Sequence, residues 1–487
     1  MSRQDQHHPR TSPPKRPFRT HRPSSAHGPG TPRYAVVETA FPLASRSWVS
    51  AKRPSSASDG DEQERALAIT VVTYNILADN LAYQHRHLYD HTFDNHWLLQ
   101  WSYRAPRLLF ELRESQGDVI CLQEVQEKYF YSKFQPYLAQ HGYQGLYKRR
   151  LGNKQDGLAL FFRKSKLRMV DREYVEYSRF TGTDRDNVGI VVLFEGLDSG
   201  QRFCVATTHI LFNTKRGDIK LAQLSCLLAR IDAMATKHSR DATKDIGVVV
   251  CGDMNMTPHS SLYQFMISGS LDTSDSSLFP YWSGQTPMPL WLSRRRQLTG
   301  TSSARSGARE PQLDPRMQAV VDEYKQDNVC AEGDTEFELR PWQLPWARSR
   351  PSIAGHVLQD QRHARHPFRL QCAYHPHVDA VSGEEYCTTW HGDARQSVDF
   401  MFFGTYRPEL VESKPESGPA TSPVGHKRKQ SAPAGEQQGH VCGNEHQPGR
   451  IELQRFLQPP IGEACQPMPN ESQPSDHCLL AARFCVR

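Results

Sequence analysis

The sequence predicts an α/β fold built from two layers of sheet flanked by helices. Short, apolar, β-branched runs recur along the chain and read as buried strands. Segments with helical periodicity separate several of them. Five of the runs also end in, or contain, an Asn, Glu, His or Asp, which places polar groups on a rigid platform.

The first run, Val71 to Leu77, is a strand with Asn75 near its end. Trp97 to Ser115 then sets Leu98, Trp101, Ala105, Leu108, Leu109 and Leu112 at helical spacing. It leads into Val119 to Val125, a strongly apolar strand that delivers Glu124, so the start is βαβ-like. Gly157 to Phe162 and Val188 to Phe194 are further strands, and Phe203 to Ile210 is another that ends at His209. Ile219 to Ala235 is a second amphipathic helix, with Leu221, Leu224, Leu227, Leu228 and Ile231 on its buried face. Val248 to Cys251 is stopped by Gly252 and followed by Asp253 and Asn255, with a short helix expected over Pro258 to Ile267. Ser397 to Phe403 holds Asp399 alone in an apolar run, where a charge is costly to bury unless it is paired or binds metal. The last cluster is Ser475, Asp476 and His477, ahead of another apolar run.

A lone Gly-Asp-x-Asn is an ordinary turn sequence. Repetition of polar groups at strand ends argues for a shared site, because buried ionisable groups concentrate there. In an extended segment positions i and i+2 face one side, so Asp253 and Asn255 are expected to point into one cleft.

With 487 residues the chain suffices for one large domain or two ordinary ones. Hydrophobic content of 37% is low, as for an enzyme diluted by disordered stretches. The net charge of +6 permits a polyanionic partner without demanding one. The 11 cysteines form no CxxC pair, which indicates neither a zinc site nor a disulfide framework. No apolar run is long enough to span a bilayer, and no membrane association is expected. Residues 1–66, rich in Pro, Ser and Arg, read as a disordered basic tail, with the catalytic domain over residues 67–487. The tail has no apolar stretch of a secretory signal, and its prolines disfavour an amphipathic transit helix. Low-complexity insertions are expected at about residues 276–369, which include Trp291, Trp342 and Trp346, and at 411–450.

The ordered set Thr73 to Leu77, Leu122 to Val125, Asp156-Gly157, Asp186 to Gly189, Thr208 to Asn213, Gly252 to Asn255, Val398 to Phe400 and Ser475 to His477 resembles the exonuclease/endonuclease/phosphatase superfamily. Within it the chain resembles the carbon-catabolite-repressor-4, nocturnin and Angel branch. Thr208 to Leu224, Cys387 to His391 and Asp184 to Gly189 are most similar to Angel proteins. The resemblance implies a DNase I-like two-sheet β-sandwich flanked by helices in four layers, α/β/β/α. It implies a Mg²⁺-dependent phosphodiesterase, with Mn²⁺ as a substitute, acting on single-stranded RNA 3′ ends. The expected activity is a deadenylase-like 3′-to-5′ exoribonuclease in mRNA metabolism. The alternative that the Angel branch implies is an RNA 2′,3′-cyclic phosphatase. An alternative of another class is a non-catalytic RNA-binding or translation adaptor on the same scaffold. A cytoplasmic, and also nuclear, monomer is expected, with protein partners engaged through the tails and insertions.

Oxygen ligands suit Mg²⁺, which neutralises charge at a scissile phosphate. The resemblance casts Glu124 as the principal metal ligand. Asn75 completes the cation environment or bonds the phosphate, and Asp476 is a second metal-associated carboxylate or a support for the histidine loop. His477, paired with Asp399, meets the scissile phosphate, either as a charged clamp or as a general acid or base. Asp253 orients or deprotonates the attacking water, Asn255 donates to a phosphate oxygen and His209 contacts the phosphate. Asn187, Asn213 and Asp156 complete the substrate-binding set. The basic loop Lys148, Arg149, Arg150 and Lys154 is either a solvated hairpin tip or a backbone-attracting patch. Tyr103 to Leu109 fits the Y-x4-L-Φ pattern of cap-binding-protein ligands, but Leu108 and Leu109 are expected to face the sheet. Met254, Met256, Trp390 and Phe400 depart from the family pattern and bear on substrate fit.

Overall fold

The computed structural model describes residues 46–51, 66–181, 185–238, 246–289, 363–406, 451–461 and 465–487. Its strands, in chain order, are β1 (Trp48–Ser50), β2 (Leu67–Asn75), β3 (Val119–Gln126), β4 (Tyr143–Arg149), β5 (Asp156–Arg163), β6 (Leu167–Glu176), β7 (Val188–Gly196), β8 (Arg202–His209) and β9 (Gly247–Asp253). There follow β10 (Ser270–Asp272), β11 (His363–Arg365), β12 (Phe368–Cys372), β13 (Thr389–His391), β14 (Ala394–Gln396), β15 (Asp399–Tyr406), β16 (Ile451–Leu457) and β17 (Leu480–Val486). One sheet runs β1-β16-β17-β2-β3-β5-β4 and the other β12-β15-β9-β8-β7-β6.

Each sheet holds one parallel pair, β2 with β3 and β8 with β9, among antiparallel neighbours. A parallel pair needs a crossover, and each gets a helix: Trp101–Glu114 in the first sheet and Gly217–His238 in the second. Successive residues of β2 divide between two apolar clusters, which is why the run lacks alternation. Ile69 and Val71 join the core between the sheets, with Cys121, Leu160, Val205 and Val249. Val72 and Tyr74 face outward to Leu108 and Leu112 of the first crossover helix. Leu108 is fully buried and Leu109 packs on the same cluster, so the Tyr103 to Leu109 match is used by the core. Cys121, Cys204 and Cys251 are free, buried core residues.

Several expected boundaries shift. The helix expected from Trp97 is two elements, a 3-10 turn His96–Leu99 and an α-helix from Trp101, because Gln100 between them is extended. The helix after Asn255 begins at Ser261, not Pro258, since the Ser260 hydroxyl accepts the Tyr263 N–H and caps it there. The catalytic domain also starts before residue 67. β1 pairs with β16, and the Arg46 guanidinium donates to the carbonyls of Gln458 and Leu479. Residues 276–289 and 363–369, expected in an insertion, belong to the domain. Trp282 is 2% exposed beneath a 3-10 turn, and β11 pairs with β10. Trp291, Trp342, Trp346 and residues 411–450 lie outside the described residues.

Gly252, which stops the Val248 run, has φ +138° and pairs with Thr208 across the parallel β8–β9 ladder. A Cβ there would stand 1.9 Å from the Thr208 carbonyl oxygen. Gly252→Ala is therefore expected to destabilise the fold by about 3 kcal/mol or more, read as a fall in the midpoint of chemical unfolding.

Candidate active site

Glu124 reaches the site through a break in its own strand. The β3–β5 register shifts between Leu122 and Val125, and Glu124 takes φ +58°. Such a bulge re-aims a side chain, and a positive φ at a glutamate is a strained conformation that its surroundings must hold. They do: Ala78 N donates to Glu124 Oε2 at 3.0 Å, and Asn75 Nδ2 donates to Oε1 at 3.1 Å. Asn75, at the end of β2, also donates to Asp253 Oδ2 at 3.1 Å, joining one sheet to the other.

The second sheet supplies the facing groups. His209 ends β8, with Nε2 3.3 Å from Asp253 Oδ2 and Nδ1 3.9 Å from Glu124 Oε1. β9 ends at Asp253 itself, so the expected extended i, i+2 geometry does not apply. Instead Asp253 Oδ1 accepts the Asn255 N–H at 3.0 Å, and Asn255 turns at φ +42°. The Asn255 amide donates to the Ile210 carbonyl, which fixes the turn.

His477 enters from the loop before β17. The Ser475 hydroxyl donates to the Asn75 carbonyl at 2.6 Å, which docks that loop against the end of β2. His477 Nδ1 lies 2.8 Å from Asp399 Oδ2, and Nε2 lies 3.8 Å from Asp253 Oδ2 and 4.0 Å from Asp476 Oδ1. Asp399, the lone charge of its apolar run, is thus paired. Burial opposes charge on His477, but Asp399, Asp476 and Asp253 outweigh it and hold the imidazole well above its ordinary value. The surrounding carboxylates thus favour the protonated ring. Burial likewise opposes charge on Asp253, yet His209 and His477, helped by the Asn255 and Asn75 donors, hold its carboxyl below the usual range.

The weaker candidates divide. Asn187 donates to the His209 carbonyl at 2.9 Å and accepts from Gln223, so it braces the His209 turn. Asp156 is buried and bound to Arg150 at 2.6 Å, which engages part of the basic loop. Asn213 is exposed, and its side chain accepts the Lys215 N–H rather than joining the buried network. Asp476 accepts the Tyr89 hydroxyl at 2.8 Å while Thr389 holds its backbone carbonyl, which fits support of the histidine loop.

Among the described residues one cluster of potential ligand atoms lies close together. Ligand atoms of Asp253, Asp399 and His477 lie within 4.8 Å of one another. That trio already contains a hydrogen-bonded pair and a charged imidazole, which disfavours a metal. Glu124 fits better. Burial, and then the Asp476 and Asp156 carboxylates, push its proton affinity up against the opposing pull of His209. A hard divalent cation would relieve that crowding, with the Glu124 and Asp476 carboxylates as oxygen donors. Asn75 turns its amide nitrogen to Glu124 and its oxygen to the Leu77 N–H, so it orients Glu124 rather than offering a ligand atom.

Four functional residues escaped the sequence reading. Tyr89 holds Asp476, and the Thr388 hydroxyl accepts the N–H groups of Val398 and Asp399. Arg104, fully buried, donates to the carbonyls of Ile76 and Pro474 and ties the Asn75 and His477 loops together. Lys220, equally buried, donates to Asn255 O at 2.6 Å and Gln285 Oε1 at 2.7 Å. Burial pushes its ammonium down to about 7, with Asp253 pulling the other way. Lys220→Met would leave the buried Asn255 carbonyl and the part-buried Gln285 amide oxygen without this donor and loosen the Asn255 turn. Its expected effect is a roughly 10²-fold fall in turnover with little change in KM, checked by steady-state kinetics on folded protein.

A model of the Endonuclease/Exonuclease/phosphatase family matches residues 72–477, a span that runs from β2 through His477. The chain belongs to this family. The family's name covers enzymes that hydrolyse phosphate esters, and its two-sheet fold is the one described above. The chain of this Endonuclease/Exonuclease/phosphatase protein is 30% identical over 428 residues to "Protein angel homolog 2" of Danio rerio, covering 87% of this chain and 65% of that protein. It is 38% identical over 238 residues to "Protein angel homolog 1" of Homo sapiens, covering 47% and 34% respectively. It thus spans less than two thirds of the length of the curated relatives it matches. Among solved structures it is similar to ANGEL2, described as a 2′,3′-cyclic phosphatase, in complex with adenosine-2′,3′-vanadate. There the identity is 27%, the TM-score 0.59, and the coverage 91% of this chain and 98% of that one.

Proposed function

We propose that this chain is a divalent-metal-dependent phosphoesterase that opens 2′,3′-cyclic phosphates at RNA 3′ ends. The observation that carries hydrolysis is the convergence of Asn75, Glu124, His209, Asp253 and the Asp399–His477 pair on one buried network. The choice of a cyclic ester rests on the similarity to ANGEL2 over nearly the whole chain. A linear internucleotide bond, the substrate of a 3′-to-5′ exoribonuclease, has no comparable support.

The residues divide the work by charge. The protonated His477, braced by Asp399, contacts a non-bridging phosphoryl oxygen and stabilises the charge that builds there. Asp253, held ionised, orients the attacking water and takes its proton. The water oxygen bonds to phosphorus as its proton passes to Asp253, and the bond from phosphorus to one ribose oxygen breaks. That oxygen leaves with the electron pair and takes a proton from solvent, Asp253 returns its own to solvent, and a phosphomonoester remains. A magnesium ion at Glu124 would supply further neutralisation of the phosphoryl oxygens. An adaptor needs none of these side chains, which weighs against the non-catalytic reading. The proposed partner is single-stranded RNA, and the proposed setting is the cytoplasm.

The test is one RNA carrying in turn a 3′-hydroxyl, a 2′,3′-cyclic phosphate and a poly(A) tail, each with and without EDTA. Opening of the cyclic end alone, abolished by EDTA, is the expected result. Shortening of the poly(A) substrate would restore the exoribonuclease reading, and inactivity on all three with folded protein would favour the adaptor.

A further inference from the structure

We infer a second phosphate-binding site at the opposite end of the first sheet, centred on Arg455 and Arg483. A cleft of about 400 Å³ opens there, lined by Trp48, Thr70, Arg163, Lys166, Arg455 and Arg483. It lies at the start of β2, whereas Asn75 lies at its end, roughly 17 Å further along the strand. It is therefore separate from the network around Glu124 and His477.

Charge accounting singles out the two arginines. The cleft also contains Asp118 and Glu114. Asp118 is already engaged by Lys166 at 2.8 Å, by Arg163 at 3.6 Å and by the Thr70 N–H. Glu114 pairs with Arg113. Among the described residues neither Arg455 nor Arg483 has an acidic partner. They are nevertheless direct cross-strand neighbours in the β16–β17 ladder, an arrangement of like charges that destabilises a sheet. Arg455 is held in place, with its guanidinium 4.7 Å from the centre of the Trp48 ring, and its Nε is buried without a hydrogen-bond partner.

Two adjacent guanidinium forks match the oxygens of a phosphate, and an anion between them turns mutual repulsion into attraction. The cleft exceeds a single phosphate in size and falls in the range of small-ligand sites. The ligand chemistry is a phosphate group, supplied either by a free nucleotide-sized polyphosphate or by the backbone of an RNA strand.

Titration calorimetry of the full chain with inorganic pyrophosphate tests this, comparing wild type with the Arg455→Gln/Arg483→Gln double variant. Wild type is expected to show a binding event that the double variant loses, with at least a tenfold fall in that affinity. Cyclic-phosphate hydrolysis of a mononucleotide should be unchanged. A melting temperature raised by pyrophosphate in the wild type and not in the variant would accompany the loss. Identical isotherms for the two proteins overturn the site, whatever the outcome of the activity assays. A second arm uses a 12-nucleotide RNA with a 3′-hydroxyl. A salt dependence of binding that drops by about two charges in the variant assigns the site to an RNA strand, and an unchanged dependence assigns it to a free polyphosphate.

Discussion

Replacing His477 with alanine is expected to lower turnover by roughly 10³-fold, because a preorganised cation at the scissile phosphate is lost. The change also leaves the buried Asp399 carboxylate unpaired, so the loss of turnover is read on variant protein whose folding is first checked by circular dichroism. Asp399→Asn should separate charge from position. Burial alone would make His477 give up its proton, and Asp399 heads the groups that reverse this. The active, protonated form therefore persists below the raised pKa and is lost as pH rises through it. Without the Asp399 charge that pKa falls, so the descending limb of the rate–pH profile should move to lower pH. A profile unchanged in Asp399→Asn would show that His477 does not act as a cation.

Glu124→Gln is the second large effect. The loss of a metal-holding carboxylate removes several kcal/mol of transition-state stabilisation, roughly 10³-fold or more in rate. A readout independent of activity exists. Glu124 is strained in φ, only partly exposed, and crowded by Asp476 and Asp156. In EDTA the neutral glutamine should melt no lower than wild type. Magnesium should raise the melting temperature of wild type and leave that of the variant unmoved. Equal magnesium-induced shifts in the two proteins would remove Glu124 from the metal site.

Much of this was legible in the sequence because the strands are buried on both faces. Val119 to Val125 and Val248 to Cys251 are continuous apolar runs, and polar residues at their ends stand out against them. Asp399 was conspicuous for the same reason. What escaped detection has specific physical causes. Trp48–Ser50 is three residues long, too short for any period to register. Lys220 and Arg104 sit in amphipathic helices, where a basic residue reads as solvent-facing, and only tertiary packing buries them. Tyr89 lies in a segment of short 3-10 turns without apolar periodicity. The extended reading of Asp253 and Asn255 failed because the Asp253 carboxylate competes for the backbone N–H two residues on and bends the chain. Asn213 was carried by its neighbours Thr208 to Phe212, and the local turn points it to solvent.

β17 is not an edge strand. It lies between β16 and β2, and His477 arrives with the loop just before it. On a ribosome, β2 and β3 are made hundreds of residues earlier, yet β2 keeps an open edge until β17, which follows His477, has been added. The two halves of the candidate site are thus brought together only once the second half of the chain has joined the first sheet. The nascent polypeptide also exposes a strand edge that must be shielded while synthesis continues.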